Sequence, residues 1–282
     1  RQEDYIYIDK TEYIEVLESY GEKYIFFLRP RRFGKTLFLS TLEHYYDLNQ
    51  KENFKELFGD LYIGENKTEN ASSYYILKFD FSGIETRENI EVDFFNEVRD
   101  SISRFMDKYK LDFEYRKTNN AHTELQNFLT KLGTTVEDKV YLLIDEYDHF
   151  ANEILGFENI DSFENTVSRQ GFLRKFFEVI KKKSGEVIDR LFVTGVSPIT
   201  LDSMTSGFNI ASNLTTDPNF NRALGFTLAE IKEMLNKISF SGQNDAELLS
   251  KLKEYYNGYL FSQYADEKVF NSDMILYYFN SR

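Results

Sequence analysis

Two short clusters in this chain have residue types and spacing that fit phosphate chemistry. Gly34-Lys35-Thr36 follows an aromatic and apolar run, Tyr24 to Leu28, and opens an amphipathic segment. In a strand–loop–helix setting of this kind, backbone N–H groups wrap phosphate oxygens, the lysine neutralises them and the threonine hydroxyl holds Mg²⁺. Asp145-Glu146 closes a second apolar run, Val140 to Ile144. Successive residues at a strand end point apart, so Asp145 can serve the metal through water while Glu146 orients an attacking water. A strand ending in solvated acids is the plainer reading of that pair alone. Its place after a strand-flanked Gly-Lys-Thr favours chemistry. The first cluster departs from G-x-x-x-x-G-K-[ST] at one position, where Arg29 stands instead of glycine. Glycine permits a tight turn with positive φ, whereas Arg29 before Pro30 implies a loop of different shape. Arg31 and Arg32 are candidates to supply phosphate contacts that this altered loop loses. Such a loop could also hold a nucleotide and hydrolyse it poorly.

Other residues offer secondary roles. Thr194 ends the apolar run of RLFVTGVSP, where a polar side chain can sense a γ-phosphate, with Ser197 as a substitute. Asp148 lies just past Glu146 and either joins the metal network or caps the segment that follows; the second is favoured. Arg169, Arg174 and Arg222 are candidates for a charge-stabilising finger. Lys181 to Lys183 read as the solvated end of a helix, where cations suit the dipole.

These residues need elements to position them. Apolar runs at 24–28, 74–84, 140–148 and 190–198 read as strands, and amphipathic segments between them read as helices. Phe94, Phe95, Val98, Ile102, Phe105, Met106 and Tyr109 share one helical face. So do Leu125, Phe128, Leu129 and Leu132, ending at Gly133, and Phe172, Leu173, Phe176, Phe177 and Ile180. Alternation of strand and helix implies a parallel α/β sheet with helices on both faces. Near the N-terminus an extended run, Tyr5 to Ile8, precedes a helix that Asp9 and Glu12 are placed to cap and Gly21 to end. Residues 47–73 read as irregular. The character changes near residue 200, giving a core over 1–200 and a small helical subdomain over 201–282. Within the latter, Thr227 and Glu230 form a capping box, helices follow at 245–256 and from Ser272, and Asn257-Gly258 suits a left-handed cap.

Composition narrows the function classes. Aromatic residues make up 17% of the chain, ample for a core and against disorder. The absence of cysteine excludes disulfides and thiolate metal sites and fits a cytoplasmic setting. A net charge of −13 disfavours direct nucleic-acid binding by this segment. No run approaches the roughly 20 apolar residues that span a bilayer, and there is no signal peptide. Both ends read as fragment boundaries of a longer parent.

YIDKT, RPRRFGKTL, DEYD, TGVSPI, GFT and YYNGYLF occur in this order along nearly the whole chain. In this it resembles the bacterial predicted AAA-ATPase-like family, in which Arg29-Pro30 is a shared trait. The resemblance implies a P-loop NTPase of the additional-strand class, a three-layer sandwich with a parallel sheet plus a small C-terminal helical subdomain. It implies ATP and Mg²⁺ as ligands. By position it suggests Lys35 and Thr36 on phosphate and Mg²⁺ and Asp145 and Glu146 as the Walker B pair; joined to the residue reading above, Lys35, Glu146 and Thr194 would be catalytic, with the loop residues Arg31, Arg32, Phe33, Gly34, Lys35, Thr36 and Leu37 on the nucleotide and Thr36 and Asp145 on the metal. Tyr7, ahead of the loop strand, is a base-stacking candidate. Nucleotide state would drive a lid, a partner domain or a homo-oligomer. The alternatives are a nucleotide-gated regulatory module with little hydrolysis, or the ATPase part of a nuclease-linked system, since many members carry a C-terminal nuclease-like domain.

Overall fold

The computed structural model describes residues 7–84, 90–149, 171–198, 208–238, 245–256 and 258–280. Five parallel strands form one sheet in the order β2-β3-β4-β1-β5. They are β1 (Tyr24–Leu28), β2 (Tyr75–Asp80), β3 (Val140–Asp145), β4 (Ile188–Gly195) and the two-residue β5 (Ser212–Asn213). Every residue of β3 is buried, as a central parallel strand covered on both faces requires. The register runs Leu28 opposite Gly195 and Ile144 opposite Val193, so β1, β4 and β3 end together along one edge of the sheet.

Helices cover both faces. One core cluster packs α5 (Ile90–Lys108), α6 (Ala121–Leu132) and α7 (Phe172–Lys183) on the sheet. A second packs α1 (Glu12–Ser19) and α2 (Lys35–Tyr46) on the other side, together with Leu214, Phe220, Ala223 and Leu224. The apolar faces read from sequence are the ones that go inward. Phe94, Val98, Ile102 and Phe105 of α5 and Phe172, Leu173, Phe176, Phe177 and Ile180 of α7 are all buried. A third cluster joins α8 (Leu228–Ile238), α9 (Asp245–Tyr256) and α10 (Ser272–Asn280) through Ile231, Met234, Leu235, Leu252 and Ile275. The capping box forms as expected: Glu230 Oε2 accepts from the Thr227 N–H at 2.7 Å, and Thr227 Oγ1 accepts from the Glu230 N–H at 3.2 Å.

Some local expectations need correction. Residues 47–73 contain the short helices α3 (Phe54–Phe58) and α4 (Tyr62–Glu65). Asp9 does not cap α1. Its carboxylate takes the N–H and hydroxyl of Thr11 and the N–H of Tyr62, tying the chain before α1 to α4. Residues 7–8 are not in a strand. Arg169, Asn257 and the first half of the extended run, Tyr5 and Ile6, lie outside the described residues.

Candidate functional site

The phosphate loop connects β1 to α2, and its conformation differs from the glycine pattern in an informative way. Positive φ falls at Arg32 (68°) and Gly34 (90°), not at Arg29. Position 29 therefore needs no glycine, while Arg32 carries a left-handed conformation that costs an L-residue on the order of 1–2 kcal/mol. Gly34 precedes the first turn of α2, whose unpaired N–H groups are natural anion partners.

Lys35 and Glu146 meet. The Lys35 ammonium lies 3.4 Å from Glu146 Oε1 and 3.4 Å from the Pro30 carbonyl, with the lysine side chain 4% and the glutamate 18% exposed. Glu146 follows β3 at φ 51°, another left-handed non-glycine residue. Strain of this kind, worth about 1–3 kcal/mol, clusters at functional sites. Asp145 is buried at the strand end; its Oδ1 accepts the Glu146 N–H at 3.0 Å and the Thr194 hydroxyl. Strand β4 stands between β1 and β3, which is what puts Thr194 within reach of Asp145. Thr36 and Leu37 are exposed at the start of α2.

Asp148 is fully buried, and its carboxylate takes the N–H groups of Val196 and Ser197. The Tyr147 hydroxyl donates to the Ser197 carbonyl at 2.7 Å. These bonds staple the turn after β3 to the turn after β4, so Ser197 is used through its backbone. Gly195 is required there, because a Cβ would lie 2.5 Å from the Tyr147 ring.

The other cations are deployed differently from a phosphate cage. Arg31 and Arg32 are exposed, and Arg32 pairs with Asp273 of α10 at 3.0 Å. Phe33 is buried, edge-on to Tyr259 at 5.0 Å and Phe261 at 5.3 Å. Arg174 pairs with Glu178 and Arg222 with Glu267. Lys181 reaches Asn209, and Lys183 reaches Glu186.

A cavity of about 350 Å³ opens beside Gly34. Tyr7, Ile8, Lys10, Arg32, Leu37 and Thr41 line it from the core, and Leu224, Phe226, Asp273 and Leu276 from the C-terminal part. Lys10 bridges the two sides, donating to Glu230 at 2.6 Å and to the Arg222 carbonyl at 2.9 Å. Sequence reasoning missed Lys10, although YIDKT contains it.

Among the described residues no three acidic or histidine side chains cluster as a metal cage. Mg²⁺ is commonly held by one or two carboxylates, waters and substrate phosphates rather than by an all-protein site. Buried Asp145 and exposed Thr36 fit that donor set. No helix among the described residues is long and apolar enough to cross a membrane.

An uncharacterized protein encoded in the vnfD 5′ region of Azotobacter chroococcum mcd 1 is 25% identical over 280 residues. The alignment covers 99% of this chain and 49% of that protein, so the chain spans about half the length of its curated relative. The family model described as Predicted AAA-ATPase matches residues 1–205, and the chain belongs to that family.

Proposed function

We propose that this chain binds ATP with Mg²⁺ and hydrolyses it, and that its C-terminal helices respond to the bound nucleotide. Family membership supports an ATPase-like function in general. The observation that carries the finer reading is the meeting of Lys35, from the first turn of α2, with Glu146, beside the Asp145–Thr194 bond at the ends of β3 and β4. Lys35 and the N–H groups of the first α2 turn would bind the phosphates. Thr36 and Asp145 would hold Mg²⁺, whose chemistry is to neutralise charge on the β- and γ-oxygens. Thr194 fixes Asp145 through its hydroxyl. A phosphate that attracts Lys35 releases Glu146 to accept a proton from, and aim, the attacking water. The cavity beside Gly34 would take the base and sugar, with Tyr7 and Leu37 against the ring.

The Lys35–Glu146 pair also favours a second reading. If Glu146 stays on Lys35, the chain holds nucleotide and acts as a gated regulatory module. A cytoplasmic setting, assembly with a second copy or partner domain, and service to a nuclease-linked system belong to the same proposal. The last of these rests on resemblance alone.

The test is phosphate release with Mg²⁺ and ATP, beside calorimetric binding. Glu146→Gln should retain binding and lose turnover by about 10²-fold or more, within the range of general-base contributions. Lys35→Ala should lose both. Wild-type turnover no faster than Glu146→Gln, with binding intact, selects the gated module. Absence of binding removes both readings.

A further inference from the structure

The residue that breaks the glycine pattern is among the most deeply buried in the protein. Arg29 is 1% exposed. Its Nη1 donates to the carbonyls of Leu28 at 2.9 Å and Thr215 at 2.7 Å, and its Nη2 to Phe220 at 2.8 Å. The guanidinium lies over the Phe27 ring at 4.3 Å and over the Phe261 ring at 4.0 Å. Burial pushes its pKa down to about 9, so it keeps its charge at neutral pH. Among the described residues no carboxylate pairs with it. An apolar side chain would fill this space without burying a charge, so packing alone does not account for an arginine. Carbonyl oxygens and aromatic faces are what stabilise a cation there.

The partners of Arg29 belong to a wider pattern. The Phe33 carbonyl accepts the Gly225 N–H at 3.3 Å, the Arg31 carbonyl accepts Asn271 Nδ2 at 3.0 Å, and the Arg32 carbonyl accepts the Asp273 N–H at 3.4 Å. Gly225 has φ 85°, and a Cβ there would stand 3.0 Å from the Phe33 ring. Thr215 Oγ1 also takes the Leu28 N–H at 3.0 Å. The loop from 29 to 33 is thus fastened along its length by residues 215–273, all beyond the span matched by the family model.

We infer that Arg29 is a positioning residue that makes the shape of the phosphate loop depend on docking of the C-terminal segments carrying Thr215, Phe220 and Phe261. The inference rests on the ATP-binding reading above. The loop holds its phosphate-binding shape while these segments are in place, and a bound nucleotide in turn holds the segments down. Arg29 touches no phosphate; it acts from behind the loop.

The experiment uses the full chain, Mg²⁺ and a slowly hydrolysed ATP analogue. Arg29→Met keeps much of the bulk and removes the cation; Phe261→Leu leaves the cation and removes the stacking ring. Each should raise the Kd for the analogue about tenfold or more, read by calorimetry. Each should also abolish the analogue-induced protection from hydrogen exchange at 258–261 and 269–273, even at saturation. The double variant should fall short of the sum of the two single effects, because the changes share the Arg29–Phe261 contact while Phe261 also packs on Phe33. If Arg29→Met does not fold, Phe261→Leu alone carries the test. Lowered melting temperature with an unchanged Kd for the analogue and wild-type protection would make Arg29 a mere core residue and overturn the inference. Failure of the wild type to bind ATP would instead remove the reading beneath it.

Discussion

Thr194→Val isolates one bond at the centre of the site. Valine keeps the shape of threonine and removes only the hydroxyl that donates to Asp145 Oδ1. Both residues are about 1% exposed, so water cannot readily replace the lost donor. A hydrogen bond to a charged group contributes about 1.5–3 kcal/mol. At roughly 2–4 °C per kcal/mol, the figure for domains of 150–250 residues, melting should fall by about 3–12 °C. Asp145 would keep the Glu146 N–H at 3.0 Å but lose the bond that fixes it towards β4. If half of the lost energy appears in metal binding, the Mg²⁺ concentration for half-maximal turnover rises about 3- to 12-fold, at 1.4 kcal/mol per decade. Thr194→Ser, which restores the hydroxyl, should recover most of both effects. The assays are a thermal melt and a Mg²⁺ titration of phosphate release. If Thr194→Val melted like wild type and changed only kcat, at unaltered Mg²⁺ dependence, the threonine would be reading phosphate directly and not holding Asp145.

Three other expectations follow from named contacts. Gly195→Ala places a methyl against Asp148 Oδ1 and the Tyr147 ring; it should cost about 1–3 kcal/mol as an overpacked site, read by denaturant titration, and a neutral result would mean that the turns after β3 and β4 are not held together. Thr227→Ala removes half of the capping box and should cost about 0.5–2 kcal/mol, seen as faster proteolysis within α8 while the sheet remains protected. Alkaline stability should fall, because burial, first of all, pushes Tyr13, Tyr74 and Tyr115 up to about 12. The sign is set by the neutral phenol being favoured in the fold: the contribution is complete below the unfolded value near 10 and disappears as pH rises through 12. Tyrosine absorbance is unobscured by tryptophan, which the chain lacks, and a denaturation midpoint constant from pH 9 to 12 would contradict the assignment.

How much of this the sequence discloses depends on whether a residue's role is local. Strand β3 is six buried residues ending in Asp145, and such a run announces itself. So do the stripes of α5 and α7, because burial of one helix face imposes a period. Strand β5 does not: Ser212 and Asn213 carry no apolar pattern, and their place is set by pairing with Ile25 and Phe26. Arg29 is the sharper case. Its position in the motif suggested a missing glycine, whereas its function depends on carbonyls and a ring that lie far along the chain. A usable signal did exist. The strings GFT and YYNGYLF, which carry the family resemblance, contain Gly225, Tyr259 and Phe261, which surround Phe33 and Arg29. Short strings that accompany a phosphate loop at long separation are candidates to touch it.

The choice between hydrolysis and mere holding comes down to Glu146. Its carboxylate sits on Lys35 at 3.4 Å, in a pair whose lysine is almost wholly buried. Low dielectric makes such a pair costly to break by removing one partner, since the other charge is left alone. A triphosphate does not remove a partner; it exchanges one. Its several negative charges offer Lys35 more than a single carboxylate can, so the lysine has every reason to change allegiance. On that reading Glu146, at φ 51°, would lose its cation while the staple between the turns after β3 and β4 still ties down the two residues that follow it. On the proposed reading, a carboxylate in a strained backbone, beside the phosphate and without a cation, would be a base aimed at the water between them. If the staple were to loosen as Lys35 leaves, Glu146 would relax away and the nucleotide would be kept. Rigidity of the Tyr147-Asp148 turn with nucleotide bound, measurable by hydrogen exchange at Val196 and Ser197, therefore separates an ATPase from a holder.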